Sequence, residues 1–392
     1  MVQKKLQSNI WKYTLFIITN KRIFSAFLGA YYLTIPNVAP QGIGIILLLG
    51  SLSGFIFEIP SGYVSDKIGH KRALILAKTL LALSSLFLLI ANNIFILILA
   101  SISMSIGYSF FSGTGSAFMH ETLRGLNKEK DFAKIMGKIR SIGYLIPIVL
   151  IILAPFLVSV NIKLPFAIAL ILDIIGLLTV YSFVTPKIKQ SNIEEIGATN
   201  FKKVLHLAHN IGFLKYALFM GIMSGFLFSL NGYRAAYQSF LQIPIIYYGL
   251  FFGLGFALAS LISAYSGKIK KGLTLNNFFK LQITIFAVLF FILGITSLQW
   301  VIIIIFILFI GLLHGLVPIN GSYIMMGMLK NVKFKATLSS IPPQIQKITT
   351  AIVALGLGMI IERFSYATGF FIQGIIFCII LIPMYLFIFK NK

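Results

Sequence analysis

Acidic residues are scarce in this chain of 392 residues, where nine Asp and Glu stand against 33 Lys and Arg and charged residues of both signs make up only 11%. With 58% apolar side chains, it lacks the polar surface needed to coat soluble domains of that size. The one cysteine, Cys378, leaves no partner for a disulfide within the chain and excludes a thiol metal site. No P-loop, Gly-x-Ser-x-Gly or zinc motif is present, which argues against ATP-driven work and against enzyme chemistry, and no cofactor is expected. His206 and His209 share one helix face without a third ligand nearby in sequence, so no metal site is expected either.

What the chain has instead is apolar runs, each about 20 residues long and sufficient at about 1.5 Å per residue to cross a hydrocarbon core of roughly 30 Å. They fall at 12–33, 42–64, 72–91, 94–118, 138–158, 164–184, 212–238, 245–266, 276–297, 300–323, 341–361 and 367–389. The runs are continuously apolar and too long for barrel strands. The reading is an all-α membrane protein of twelve transmembrane helices. Lys21 and Arg22 interrupt what would be the apolar region of a signal peptide, so the first span is expected to stay.

A formal net charge of +24 would suggest nucleic acid in a soluble protein. Here its placement points elsewhere. With both termini cytoplasmic, most of the 33 basic residues lie in or beside inward segments, and only Lys163 and Arg363 fall in outward loops. That bias follows the positive-inside rule, and anionic lipid headgroups account for the basic surface without nucleic acid. The outward loops are short, with Asn92 and Asn93 alone between spans three and four, which leaves no room for an ectodomain.

The longest polar stretch, 186–210, divides the spans six and six, giving halves at 1–185 and 211–392 joined by a cytoplasmic linker. Ser61-Gly62-Tyr63 after span two is echoed by Ser263-Ala264-Tyr265 ahead of Lys268, Lys270 and Lys271, as expected where two halves are related repeats around a central site. Within the linker, Phe201, Val204, Leu205 and Ala208 would form the apolar face of a surface helix.

The stretch from Glu58-Ile59-Pro60-Ser61-Gly62 to Arg72 resembles the loop between helices two and three of the major facilitator superfamily, Gly-x-x-x-Asp-Arg-x-Gly-Arg-Lys/Arg. The chain keeps Gly62, Asp66, Gly69, Lys71 and Arg72, with Lys67 and His70 at the two positions that depart from the pattern. Ser112-Gly113-Thr114-Gly115, His120-Glu121-Thr122-Leu123 and Ala336-Thr337 fit a bacterial branch of that superfamily. The resemblance implies two six-helix halves in the major facilitator fold, an inner-membrane location, a monomer, and alternating access to a small-molecule substrate, gradient-driven by default, with proton coupling and uniport both open. It also implies that Gly62, Asp66, Lys67, Gly69, Lys71 and Arg72 form a conformational-switch motif, Asp66 tethering it to helix eleven in one access state. Independently of the family, Gly62 and Gly69 permit tight backbone, and Asp66 is an anion set among Lys67, Lys71 and Arg72. Two departures weaken multidrug antiport: residues 97–113 contain no Arg, and 142–157 lack a Gly-Pro motif.

Charges inside spans each cost about 2.5–3.5 kcal/mol at a helix centre unless they face water or a partner. Lys21 and Arg22 sit together in the middle of span one, so at least one is expected in a wet cavity. The resemblance implies that helices one, four, seven and ten line that cavity. On those helices lie Asn20, Lys21, Arg22, Asn231, Arg234, Tyr237 and His314, with Glu121 the only acid. A positive cavity follows, and with it an anionic or zwitterionic cargo. The alternative is that Lys21 or Arg22 pairs with Asp173 or Glu58 and only holds helices together. Those two acids are also the candidate proton carriers. A pump for hydrophobic compounds, a lipid flippase and a non-transporting sensor remain alternatives on the same fold. Gly221 with Gly225, and Gly311 with Gly315 around His314, are small-residue pairs that allow close helix packing.

Overall fold

A computed structural model describes residues 2–186, 209–210, 212–323, 338 and 340–389. Residues 187–208 of the expected linker, including His206 and the surface-helix face, lie outside the described residues, as do Ala336 and Thr337.

Among the described residues every regular element is helical. The first are α1 (Val2–Thr19), a 3-10 turn (Ile23–Ala26), α2 (Leu28–Tyr32), α3 (Pro40–Ile68) and α4 (His70–Ile90). They are followed by α5 (Ile94–Gly125), α6 (Phe132–Val158) and α7 (Leu164–Tyr181). The later part of the chain forms α8 (Phe213–Phe240), α9 (Tyr248–Ala264), α10 (Ser266–Gly272), α11 (Leu275–Ile295), α12 (Gln299–Gly315) and α13 (Val317–Ser322). It closes with α14 (Ile341–Arg363) and α15 (Tyr366–Phe389).

Ten helices among the described residues are long and apolar enough to cross a membrane, the helix being a form that pairs backbone groups internally as lipid requires. Large apolar side chains on them are exposed, for instance Leu178, Ile304 and Ile379, as lipid-facing residues must be. The run 138–158 lies within the 27-residue helix α6. Of the twelve expected spans, the first takes another form. The run 12–33 is broken after Thr19.

Packing divides the chain into two compact units, residues 1–37 with 49–193, and residues 38–48 with 194–392. In the first, α4 packs on α5 and α7, and α1 on α6 and α7. An aromatic layer of Tyr13, Phe16, Phe118 and Phe183 fills its interior. In the second, α8 packs on α14, α9 on α12, and α11 on α15. The two glycine pairs sit at those seams: Gly221 lies against Ile345 and Pro342 of α14, Gly311 against Leu258 and Gly315 against Ile262 of α9. A Cβ at Gly221 would come 2.6 Å from the Ile345 Cβ, so close approach of the two backbones depends on the missing side chain.

Candidate functional site

The first helix ends at Thr19, and the chain runs non-helically through Asn20, Lys21 and Arg22 before the 3-10 turn. A helix that stops inside a membrane leaves carbonyls that water cannot reach, and each needs another donor. Lys78 of α4 supplies one: its Nζ donates to the Thr19 carbonyl at 2.7 Å and to Asn20 Oδ1 at 2.8 Å. Tyr108 of α5 supplies another, its hydroxyl donating to the Asn20 carbonyl at 3.0 Å. The ammonium also sits at the C-terminal end of α1, where the helix dipole favours a cation. Beyond the break the chain is held by rings, with Phe24, Phe27 and Tyr31 all packed on Phe166 of α7.

Asp173 of α7 is fully buried and takes both cations. Its Oδ1 accepts from Lys78 Nζ at 2.8 Å; its Oδ2 accepts from Arg22 Nη1 at 2.7 Å and from the Ser85 hydroxyl at 2.6 Å. Arg22 Nη1 also donates to Ser85 Oγ at 3.1 Å. One carboxylate thus faces two buried cations, and Gly176, one turn further along α7, lies against the end of the Lys78 side chain and Thr19, where any Cβ would collide with both. Lys78, Ser85, Tyr108 and Gly176 were not singled out from sequence. The available signal was Lys78 itself, a lone charge inside the apolar run of α4.

Lys21, next to Arg22 in sequence, lines a cavity of about 300 Å³ in the first unit. Asn20, Tyr108, Ser112 and Ser116 share its wall with the apolar Tyr13, Ile17, Phe111 and Met136. At its edge the Ser112 hydroxyl donates to Glu58 Oε1 at 3.0 Å, and Glu58 is half-buried. The chain break therefore separates two adjacent basic residues, one into a closed ion cluster and one into a polar cavity.

In the second unit the expected site residues do not gather in one place. His314 lines a cavity of about 170 Å³ with Ser224, Gln282, Asn320 and Gln346, its ring stacked on Phe256 with centroids 4.8 Å apart. Arg234 is buried, donating to Gln238 Oε1 at 3.0 Å and lying 4.6 Å from the Phe252 ring centroid, an arrangement favourable to a cation over a ring face. Tyr237 is buried too and stacks on Tyr366 at 4.9 Å. Asn231 is half-buried, and its Oδ1 has no hydrogen-bond partner among the described residues.

The stretch expected as a loop between spans two and three is almost wholly helical. Gly62, Asp66 and Lys67 lie in the last turns of α3, Lys71 and Arg72 in the first turn of α4, and Gly69 alone separates the helices. Gly69 has φ 89° and ψ 145°, a conformation open essentially to glycine. Gly62, by contrast, is an exposed helical position with open space around it, so tight backbone explains Gly69 and not Gly62. The junction is pinned to α5: Ser65 Oγ lies 2.9 Å from His70 Nδ1 and accepts from Thr114 at 2.9 Å, and His70 Nε2 is 3.3 Å from Glu121 Oε1. Asp66 is exposed.

A family model described as Major Facilitator Superfamily matches residues 11–339. No curated protein sequence matches the chain. Among solved structures, the nucleoside transporter NupG is 16% identical, with 99% of each chain covered and a TM-score of 0.75; a mutant of the same transporter gives 14%, full coverage and 0.78. A D-xylose-proton symporter is 13% identical at a TM-score of 0.70, covering 99% of this chain and 97% of the other. A POT family transporter in complex with 5-aminolevulinic acid is 15% identical at 0.69, covering 98% and 96%. At these identities the likeness is one of fold.

Proposed function

This chain belongs to the major facilitator superfamily, an integral membrane transporter, and on that premise we propose that its cargo is a small anionic or zwitterionic solute moved by alternating access of two halves. The observation that carries this reading is the placement of Lys21. Lys21 lines a cavity large enough for a small molecule, together with Asn20, Tyr108, Ser112 and Ser116. Sites of that kind combine apolar walls with a few polar groups that fix orientation. Asp173 has both oxygens engaged by Arg22, Lys78 and Ser85, so Arg22 serves the cluster, while Lys21 lines the cavity. The same engagement makes Asp173 a poor proton carrier. Glu58, one hydroxyl away from the cavity through Ser112, is the better coupling acid. The junction residues Asp66, Gly69, Lys71 and Arg72 act in switching between access states, with both termini cytoplasmic in an inner membrane and the protein working as a monomer.

The cargo is sought by thermal shift of purified protein against a panel of carboxylates, phosphates and neutral analogues. Lys21→Gln should weaken binding of the stabilising anion more than about tenfold, equivalent to about 1.4 kcal/mol, and leave neutral analogues unchanged. Undiminished anion binding by folded Lys21→Gln protein rejects the reading. A second reading, a hydrophobic compound or lipid, draws on an apolar groove of about 380 Å³ lined by Ile222, Phe226, Ile352, Leu357 and Ile376; the same panel separates it by including long-chain amphiphiles.

A further inference from the structure

Lys78 is fully buried on α4, about two turns beyond the junction residues Lys71 and Arg72, and an ammonium there is costly unless every proton has an acceptor. All three acceptors are present: the Thr19 carbonyl, Asn20 Oδ1 and Asp173 Oδ1. Two of the three belong to the break in the first helix. If α1 continued regularly, the Thr19 carbonyl would accept from the amide of Ile23 and the Asn20 carbonyl from that of Phe24. Instead they accept from Lys78 and Tyr108, while the amides of Asn20 and Lys21 close tighter turns onto Ile17 and Ile18. The slot for the ammonium is shaped by Gly176, which leaves room for the Lys78 side chain and Thr19 and for nothing more.

We propose that Lys78 is a positioning residue that holds the first helix open at residues 20–22, so that Lys21 reaches the cavity while Arg22 turns to Asp173. Without the ammonium, the Thr19 carbonyl is left unsatisfied in a low-dielectric interior, and resuming the helix is the available remedy. Resumption rotates Lys21 out of its place in the cavity wall. Gly176→Ala reaches the same end by a separate route, because its methyl group displaces Lys78 from the slot.

The test reads the break itself and needs no cargo. In a Cys378→Ser background, Lys21→Cys is labelled in membrane vesicles with a negatively charged methanethiosulfonate, with and without Lys78→Met. Ser116→Cys, on α5 in the same cavity wall, serves as the reference position. The expected result is labelling at residue 21 slowed by about tenfold or more while labelling at 116 stays within about threefold. Unchanged labelling at 21 overturns the proposal. Parallel loss at both positions overturns it too, since Lys78 would then support the whole half and not the break. If Lys78→Met does not fold, Gly176→Ala is measured in its place against the same two outcomes. Because the readout is independent of cargo chemistry, failure here leaves the anion reading of the cavity standing, and failure of Lys21→Gln to affect anion binding leaves this proposal standing.

Discussion

Replacing Asp173 by asparagine leaves Arg22 and Lys78 side by side in a closed interior with no carboxylate between them. Removing one member of a buried ion pair typically costs about 3–5 kcal/mol, because the remaining charge stays desolvated. Asp173→Asn should therefore lower the melting temperature more than Arg22→Gln, which leaves Lys78 still matched to the acid. The double variant Arg22→Gln with Asp173→Asn should be milder than the sum of the two, a coupling that melting curves of the four proteins in one detergent resolve. Additive losses would mean that the 2.7 Å contact between Arg22 and Asp173 contributes little. Part of this cluster was legible in the sequence: Lys21 and Arg22 stand out as charges in an apolar run, and Asp173 as an acid deep in another. Which of the two basic residues would pair was not legible, since that depends on where the helix breaks. The role of Lys78 was not legible, because it follows Lys71 and Arg72 closely enough to read as a basic residue snorkelling from the end of its span.

At the scale of elements, the junction between α3 and α4 turns on one residue. Gly69→Ala forces a side chain into a conformation that costs about 1–3 kcal/mol, and the change should appear as reduced thermal stability with the helix content retained by circular dichroism. Normal stability in that variant would mean that the junction relaxes into another turn. Asp66→Asn is expected to behave differently. Its carboxylate is exposed, so expression and melting should stay near wild type while transport falls, as for a charge used in switching between states. Wild-type turnover would reduce Asp66 to a topology signal. The helices themselves were legible from length and hydropathy, and the small-residue pairs at Gly221 and Gly311 marked two helix seams. The broken first helix was not legible, because its carbonyl acceptors are satisfied by Lys78 and Tyr108, side chains remote in sequence whose role exists only once the half has folded.

For the whole molecule, the asymmetry of basic residues predicts a direction across the membrane. The 32 residues of α5 extend about 48 Å at about 1.5 Å per residue, enough to span bilayer and headgroups, with Asn92 just before one end and Lys128 just beyond the other. Single cysteines at these positions, in a Cys378→Ser background, should label from opposite faces of the membrane, Lys128→Cys only from the cytoplasmic side. Labelling of Lys128→Cys by an impermeant reagent outside intact cells would reverse the orientation. The ion cluster also sets a timetable for biosynthesis. Lys78 precedes Asp173 by 95 residues, an interval of about 5–20 s at about 5–20 residues per second. During it a cation lies in an apolar helix with its acid unsynthesised, and the first segment, itself outside the set of helices apolar enough to span alone, has only part of its support. Nascent chains arrested before Asp173 should therefore be cleared by membrane proteases in pulse-chase experiments, and chains arrested beyond α7 should persist, making the emergence of one aspartate the point at which this half becomes safe from quality control.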